Sequence, residues 1–142
     1  MSWDGVKKQS IKVDIKAWCE EVGIEKYTIN SQGEIDVEGN VNLNKSNYKE
    51  LPYKFGKVVG YFSLAYNKSI ISLKNCPNET SGYFDVDGCI LLNSLEGCPK
   101  EVGSKFFCRF CKCDFLKEEV MSLCKVHDEI ITNDYNDCEL HQ

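Results

Sequence analysis

No run of about 18 apolar residues occurs anywhere in the chain, so no membrane-spanning helix is expected. The opening stretch MSWDGVKKQ has no apolar core ahead of a small-residue cleavage site, so no secretory leader is expected either. Lysine and arginine, 17 in all, are outnumbered by 22 aspartates and glutamates. Residues 51–105 carry six basic and five acidic side chains, and residues 106–142 carry four basic and eight acidic ones. A direct grip on nucleic acid needs the opposite balance, because phosphate binding is driven by release of the counterions that lysine and arginine displace. No glycine loop follows a strand and opens a helix, which removes nucleotide catalysis from consideration. Histidine is scarce, with only His127 and His141 available as bases. A Cys/His nucleophile pair would need an exposed, activated thiol beside one of them, and most thiols fall on predicted inward positions. No catalytic residue is therefore assigned, and the chain is read as a non-enzyme.

Present instead is a 22-residue period. Leu51, Leu73 and Leu95 fall 22 apart, as do Gly60, Gly82 and Ser104, and Phe62, Phe84 and Phe106. Two residues after each Phe stands Leu64, Val86 or Cys108, and three further on Asn67, Cys89 or Cys111. Self-similarity at this spacing predicts stacked units, each too short to bury its own apolar face. The fold class is a β-rich repeat solenoid with short capping helices, which makes a binding scaffold the first functional expectation.

Within each unit a short strand is expected at Tyr61–Ala65, Tyr83–Asp87 and Lys105–Arg109. The period of two puts Phe62 and Leu64, Phe84 and Val86, and Phe106 and Cys108 inward. Asn40–Asn44 is a degenerate first copy, offset by 21 residues instead of 22. Ahead of it, Ile29 and the alternation Ile35, Val37 predict a hairpin turning at Gln32-Gly33. Asn67, Cys89 and Cys111 close their strands and are placed to bond the backbone of the next turn.

Ile15, Trp18, Cys19 and Val22 follow helical spacing, with Asp14 as N-cap and Gly23 as the stop. This helix should lay Trp18 across the open end of the stack. Asp114 is the expected N-cap of a second helix with Leu116, Val120, Leu123 and Cys124 on its apolar stripe, capping the other end. Residues 1–28 thus form an N-terminal capping segment, 29–125 the solenoid with its C-terminal cap helix, and 126–142 a terminal strand at Ile130-Ile131 followed by an acidic tail. From Asp128 to Glu139 there are five acids and no base.

The segments Phe62-x-Leu64-x-x-Asn67 and Phe84-x-Val86-x-x-Cys89 resemble the L-x-L-x-x-N/C segment of leucine-rich repeats. Together with Tyr27-Thr28-Ile29-Asn30, Ile35-Asp36-Val37, Leu51-Pro52-x-x-Phe55-Gly56 and the stretch Asn93–Gly103, they are similar to a leucine-rich-repeat-like family of uncharacterised proteins from tailed bacteriophages and bacteria. The resemblance covers residues 25–125. It implies a phage or bacterial interaction protein, directed at the host. An inhibitor of a nucleic-acid-acting defence enzyme, anti-CRISPR-like in role, is its concrete form, and a structural phage component is a further alternative.

Nine cysteines in 142 residues call for a role. Cys108, Cys111, Cys124 and His127 form two C-x2-C/H pairs, the layout of a structural zinc site, with Cys98 and Cys113 as substitutes. Such a site would make the chain a zinc-binding recognition module. The repeat register offers the other explanation, that these are small buried thiols, and it is preferred; no cofactor is then needed. Free thiols in that number suit a reduced cytoplasm, the host's if the chain is phage-encoded. Glu34, Asp36 and Glu38 alternate on one strand face, where a solvated surface is favoured over a divalent-cation site.

The outward positions of the strands are the candidate partner-binding surface: Tyr61, Ser63, Tyr83, Asp85, Asp87, Lys105, Phe107 and Arg109. Tyrosine, phenylalanine and arginine are enriched at interface hot spots. An acidic chain suits a basic partner, including the basic groove of a nucleic-acid enzyme.

Overall fold

The computed structural model describes residues 3–133, and it is a β-solenoid of about four stacked turns flanked by two helices. Helix α1 spans Trp3–Val22, beginning well before Asp14, which sits inside the helix and not at its cap. The sequence pattern located only the second half, from Asp14 on. Ile15, Trp18 and Cys19 are buried, whereas Ile11 and Val13 are exposed, so the first half carries no apolar stripe to read. The end is where the sequence places it. Gly23 takes φ +82°, its N–H reaches Glu20 O at 3.4 Å, and Ile24 N–H reaches Cys19 O at 2.8 Å. This Schellman pair needs a left-handed residue at position 23, which glycine supplies without a Cβ clash.

Strands β1 (Tyr27–Ile29) and β2 (Ile35–Val37) form the expected antiparallel hairpin, pairing Tyr27 with Val37 and Ile29 with Ile35. Asn30 makes the turn, its Oδ1 accepting the N–H groups of Gln32 at 2.9 Å and Glu34 at 3.0 Å.

From β2 onward each turn contributes two short strands to two parallel sheets. The first sheet runs β1-β2-β4-β6-β8-β10, its later members being β4 (Phe55–Val58), β6 (Glu79–Thr80), β8 (Glu101–Val102) and β10 (Lys125–Val126). The second holds β3 (Val41–Asn42), β5 (Phe62–Ser63), β7 (Phe84–Asp85), β9 (Phe106–Phe107) and β11 (Ile130–Ile131). Register follows the repeat: Phe62 pairs with Phe84 and Phe84 with Phe106, while Val41 pairs with Phe62 at the shorter spacing. Beyond Phe106 the partner is Ile130, the cap helix having lengthened that turn.

The second sheet is the one expected from sequence, its strands shorter than drawn there. The strands of the first sheet beyond the hairpin were not expected. Their inward residues Val58, Thr80 and Val102 also recur every 22 positions, but strands of two to four residues with Glu or Lys beside the inward side chain carry too little alternation to detect.

The core lies between the sheets. Phe62, Phe84 and Phe106 are fully buried in one ladder, with ring centroids 6.1 and 5.1 Å apart. Leu51, Leu73 and Leu95 make a second buried column. At the N-terminal end Trp18 packs on Tyr48, Tyr53 and Phe55 and donates its indole N–H to the Tyr48 hydroxyl at 2.9 Å, closing the stack as expected.

At the C-terminal end helix α2 (Lys117–Leu123) departs from the expected details. Its N-cap position is Leu116, whose N–H is taken by Glu119 Oε1 at 3.1 Å, and Asp114 instead accepts from Asn133 Nδ2 at 2.9 Å. Val120 and Cys124 are buried, but Leu116 and Leu123 are exposed. A seven-residue helix turns one narrow strip to the core, and Phe115, just before it, takes the space assigned to Leu116.

Among the described residues no helix is long and apolar enough to cross a membrane. The acidic tail expected beyond residue 133 lies outside the described residues.

Candidate interaction surface on the second sheet

Three outward columns run along the second sheet, set by parallel register: Asn40, Tyr61, Tyr83, Lys105; Asn42, Ser63, Asp85, Phe107; and Asn44, Ala65, Asp87, Arg109. Parallel strands stack about 4.8 Å apart, so like side chains in a column are held face to face. Tyr61 and Tyr83 lie parallel within 6°, centroids 4.6 Å apart. Phe107 meets Tyr83 edge-on at 5.7 Å. The three rings form one half-buried aromatic strip crossing from the first column to the second.

The middle of the third column is not on display, although Asn44 and Arg109 at its ends reach solvent. Ala65 and Asp87 are each 4% exposed, and Ser63 in the middle column is 1% exposed. Of the expected contact residues, Ser63 and Asp87 therefore lie beneath the surface. Both serve the stacking of turns. The Ser63 hydroxyl bonds Asn44 Oδ1, and the same oxygen accepts Ala65 N–H at 2.9 Å. Asp87 repeats the role of Asn44 two turns on: Oδ1 accepts Arg109 N–H at 2.6 Å, while Oδ2 accepts from Nη2 at 2.7 Å and Nε at 3.2 Å. Arg109 in turn spreads over the rings of Phe107 at 5.8 Å and Phe110 at 5.6 Å. A carboxylate here satisfies a backbone N–H that the two-residue strands leave without a ladder partner.

Asp85 lies in the middle column between Ser63 and Phe107. Its Oδ1 accepts Asp87 N–H at 2.8 Å, and it forms no ion pair among the described residues. Burial pushes its carboxyl up to about 6, with the Asp87 charge adding to the rise and the Asp87 N–H and Arg109 opposing it. Lys105 reaches Asp128 at 3.8 Å across an exposed gap.

Two aromatic residues were passed over. Tyr66 and Phe110 are 51% and 54% exposed and follow the strands of alternate turns. Lys45, Tyr66, Gly88 and Phe110 occupy one corner, with φ of 60°, 60°, 74° and 59°. Tyr66 lies across Gly88, where any Cβ would collide with its ring. The repeat spacing from 66 through 88 to 110 was the available signal, obscured because the middle copy is glycine.

The four-ligand set is not drawn together. Cys108 and Cys124 are buried in the core, as the repeat register expects. Cys111 donates its thiol to Val86 O at 3.3 Å, and Cys89 does the same to Leu64 O at 3.2 Å, each reaching the preceding turn and not the next one as expected. His127 Nε2 sits 2.5 Å from Glu101 Oε2 on the first sheet, a bond that pulls the Glu101 carboxyl down. No group of three or more His, Cys, Asp or Glu able to hold a metal occurs among the described residues, and this covers the substitutes Cys98 and Cys113. Burial raises the thiols of Cys89, Cys108 and Cys124 to about 12 and that of Cys111 further. A nucleophilic thiol needs the reverse shift.

The acidic face of the hairpin is likewise engaged internally. Asn30 Nδ2 bridges Glu34 Oε1 and Asp36 Oδ1, both at 3.2 Å, and Asp36 also accepts Lys57 N–H at 2.8 Å. Nearby, the Lys54 ammonium donates to Phe55 O, Cys76 O and Asn78 Oδ1 at 2.6 to 2.8 Å, a strut between turns.

Comparison with models of known protein families, with curated proteins and with solved structures gives no match in any of the three.

Proposed function

We propose that this chain is a non-enzymatic scaffold that binds another protein through the outer face of its second sheet. The observation that carries the reading is the continuous strip Tyr61-Tyr83-Phe107, extended by Arg109 and the exposed Phe110. Rings held rigid by stacking lose little entropy on binding, and they combine apolar area with polar edges. The thiols support the non-enzymatic side of the reading, since six of the eight among the described residues are buried, where the protonated form is favoured. The eight cysteines that the described residues include are free, which fits a reduced compartment such as cytoplasm.

The net charge of −5 favours a basic partner. With the resemblance to leucine-rich-repeat-like phage proteins, that charge makes a host enzyme with a basic nucleic-acid groove the proposed target and inhibition the proposed effect. Affinity capture from bacterial lysate, followed by mass spectrometry, tests this with wild type beside Tyr83→Ala and Phe107→Ala. A specific partner retained by wild type and lost by both variants is expected. Equal retention by folded variants would place the interface elsewhere.

The scaffold is proposed to need no metal. Protein prepared without added zinc should contain well under one equivalent by elemental analysis. About one zinc per chain, lost on replacing Cys108 and Cys124, would instead support the recognition-module reading.

A further inference from the structure

The second sheet contains a recognition arrangement that it fills itself on one side and leaves unfilled on the other. Where it is filled, the Asp87 carboxylate holds the Arg109 guanidinium by two side-chain hydrogen bonds while the same guanidinium lies over Phe107 and Phe110. Arginine suits both tasks, because its planar fork matches a carboxylate edge and its faces stack on rings. Two residues earlier on the chain, Asp85 lies in register with Phe107 and two residues from Tyr83, whose rings touch edge to face. It has the same ingredients and no cation. Its only hydrogen bond among the described residues is to Oδ1, from Asp87 N–H, and Oδ2 has no donor there. Arg109 is committed to Asp87, and Lys105 points to Asp128.

We propose that Asp85, with the rings of Tyr83 and Phe107, receives an arginine side chain of the protein partner, reproducing one step along the sheet the contact that Arg109 makes with Asp87. This rests on the reading of the sheet face as a protein-binding surface and names what that surface recognises. The incoming guanidinium donates to Oδ2 and lies against the aromatic strip, and its charge offsets the repulsion between Asp85 and Asp87. The titratable and charged groups facing Asp85 are Asp87, Arg109, the Tyr83 hydroxyl and the Cys89 thiol. Of these only Arg109 is cationic, and it is already bonded. A carboxyl that titrates near 6 in the free protein must be ionised to pair with arginine, so the contact strengthens as pH rises through that value.

The test uses the full chain and a short peptide of three arginines spaced by glycines, followed by NMR of the aromatic side chains. The arginine peptide should shift the ring resonances of Tyr83 and Phe107. Its dissociation constant should rise at least about tenfold in Asp85→Asn, a change that keeps the acceptor for Asp87 N–H. Binding should be weaker at pH 5 than at pH 7.5. Glu118→Gln, on the exposed side of the cap helix, should bind as wild type does. No ring shift, equal binding by Asp85→Asn, or equal binding by a lysine peptide of the same spacing would each overturn the assignment. If a captured partner is lost by Tyr83→Ala yet kept by Asp85→Asn, the protein-binding reading stands and the arginine assignment falls. If Tyr83→Ala keeps it while the arginine peptide still binds wild type through Asp85, the site is sound and the partner docks elsewhere.

Discussion

Inside the second sheet the repeat returns the same residue three times, Phe62, Phe84 and Phe106, whereas the neighbouring outward column reads Asn40, Tyr61, Tyr83, Lys105. The two columns are set one residue apart on the same strands and obey the same geometry, yet only one is uniform. The interior is a space of fixed size refilled at every turn, and its occupants are all fully buried. The outer column has no such constraint, so the tyrosine pair Tyr61 and Tyr83 gives way to Asn40 on one side and Lys105 on the other. Uniformity marks what holds the solenoid together, and departure from it marks what the solenoid displays.

The largest way to break this contrast is to truncate the inner column. Phe84→Ala should cost roughly 3–5 kcal/mol of unfolding free energy, the range for removing a buried aromatic ring, as read from denaturant melts. A loss below about 1 kcal/mol would mean that the ladder is not what supports the fold.

Truncating the outer column should move affinity more than stability. Phe107→Ala should weaken partner binding by about 2 kcal/mol or more if it is a hot spot, and should lower stability by about 1 kcal/mol, the worth of its edge contact with Tyr83. Calorimetric titration with the captured partner, alongside thermal melts, separates the two.

A smaller effect sharpens the comparison by pH. Asp85 has its carboxyl raised in the folded protein, from an ordinary 3.8 to about 6. Its protonated form therefore favours the fold, an advantage complete below about pH 4 and lost as pH rises through about 6. With solvent screening, the loss should be on the order of 1–2 kcal/mol. Asp85→Asn should remove that part of the stability–pH profile between pH 4 and 7, and an unchanged profile would show that the carboxyl titrates normally.

The smallest expected effect is kinetic. Neutralising Asp134, Asp137 and Glu139 should slow association with a basic partner by a factor that shrinks at high salt, leaving dissociation nearly unchanged. Stopped-flow association at two salt concentrations reads this directly.

The parts of the fold legible in the sequence were those where one residue type recurs in one environment. The phenylalanine and leucine columns announced the stack, Gly23 announced the end of α1, and Trp18 announced the cap. The first sheet stayed hidden past the hairpin because β6 and β8 are two residues long, with Thr80 and Val102 as their single buried side chains. The first half of α1 stayed hidden because its sequence has no apolar stripe. On the candidate surface, alternation correctly turned Ser63 and Asp87 out of the core. It could not show that Arg109 would lie over one, or that the other would be spent on Asn44. Alternation gives direction, and exposure depends on what the neighbouring turn does with the same space.

The central claim, that the outer aromatic column binds while the inner one supports, is tested most directly by the dissociation rate of the captured partner from Tyr83→Ala. Tyr83 is adjacent in sequence to Phe84 and points the other way. The account predicts dissociation roughly thirtyfold faster or more, corresponding to about 2 kcal/mol, from a variant that remains folded. Dissociation as slow as that of wild type would contradict it.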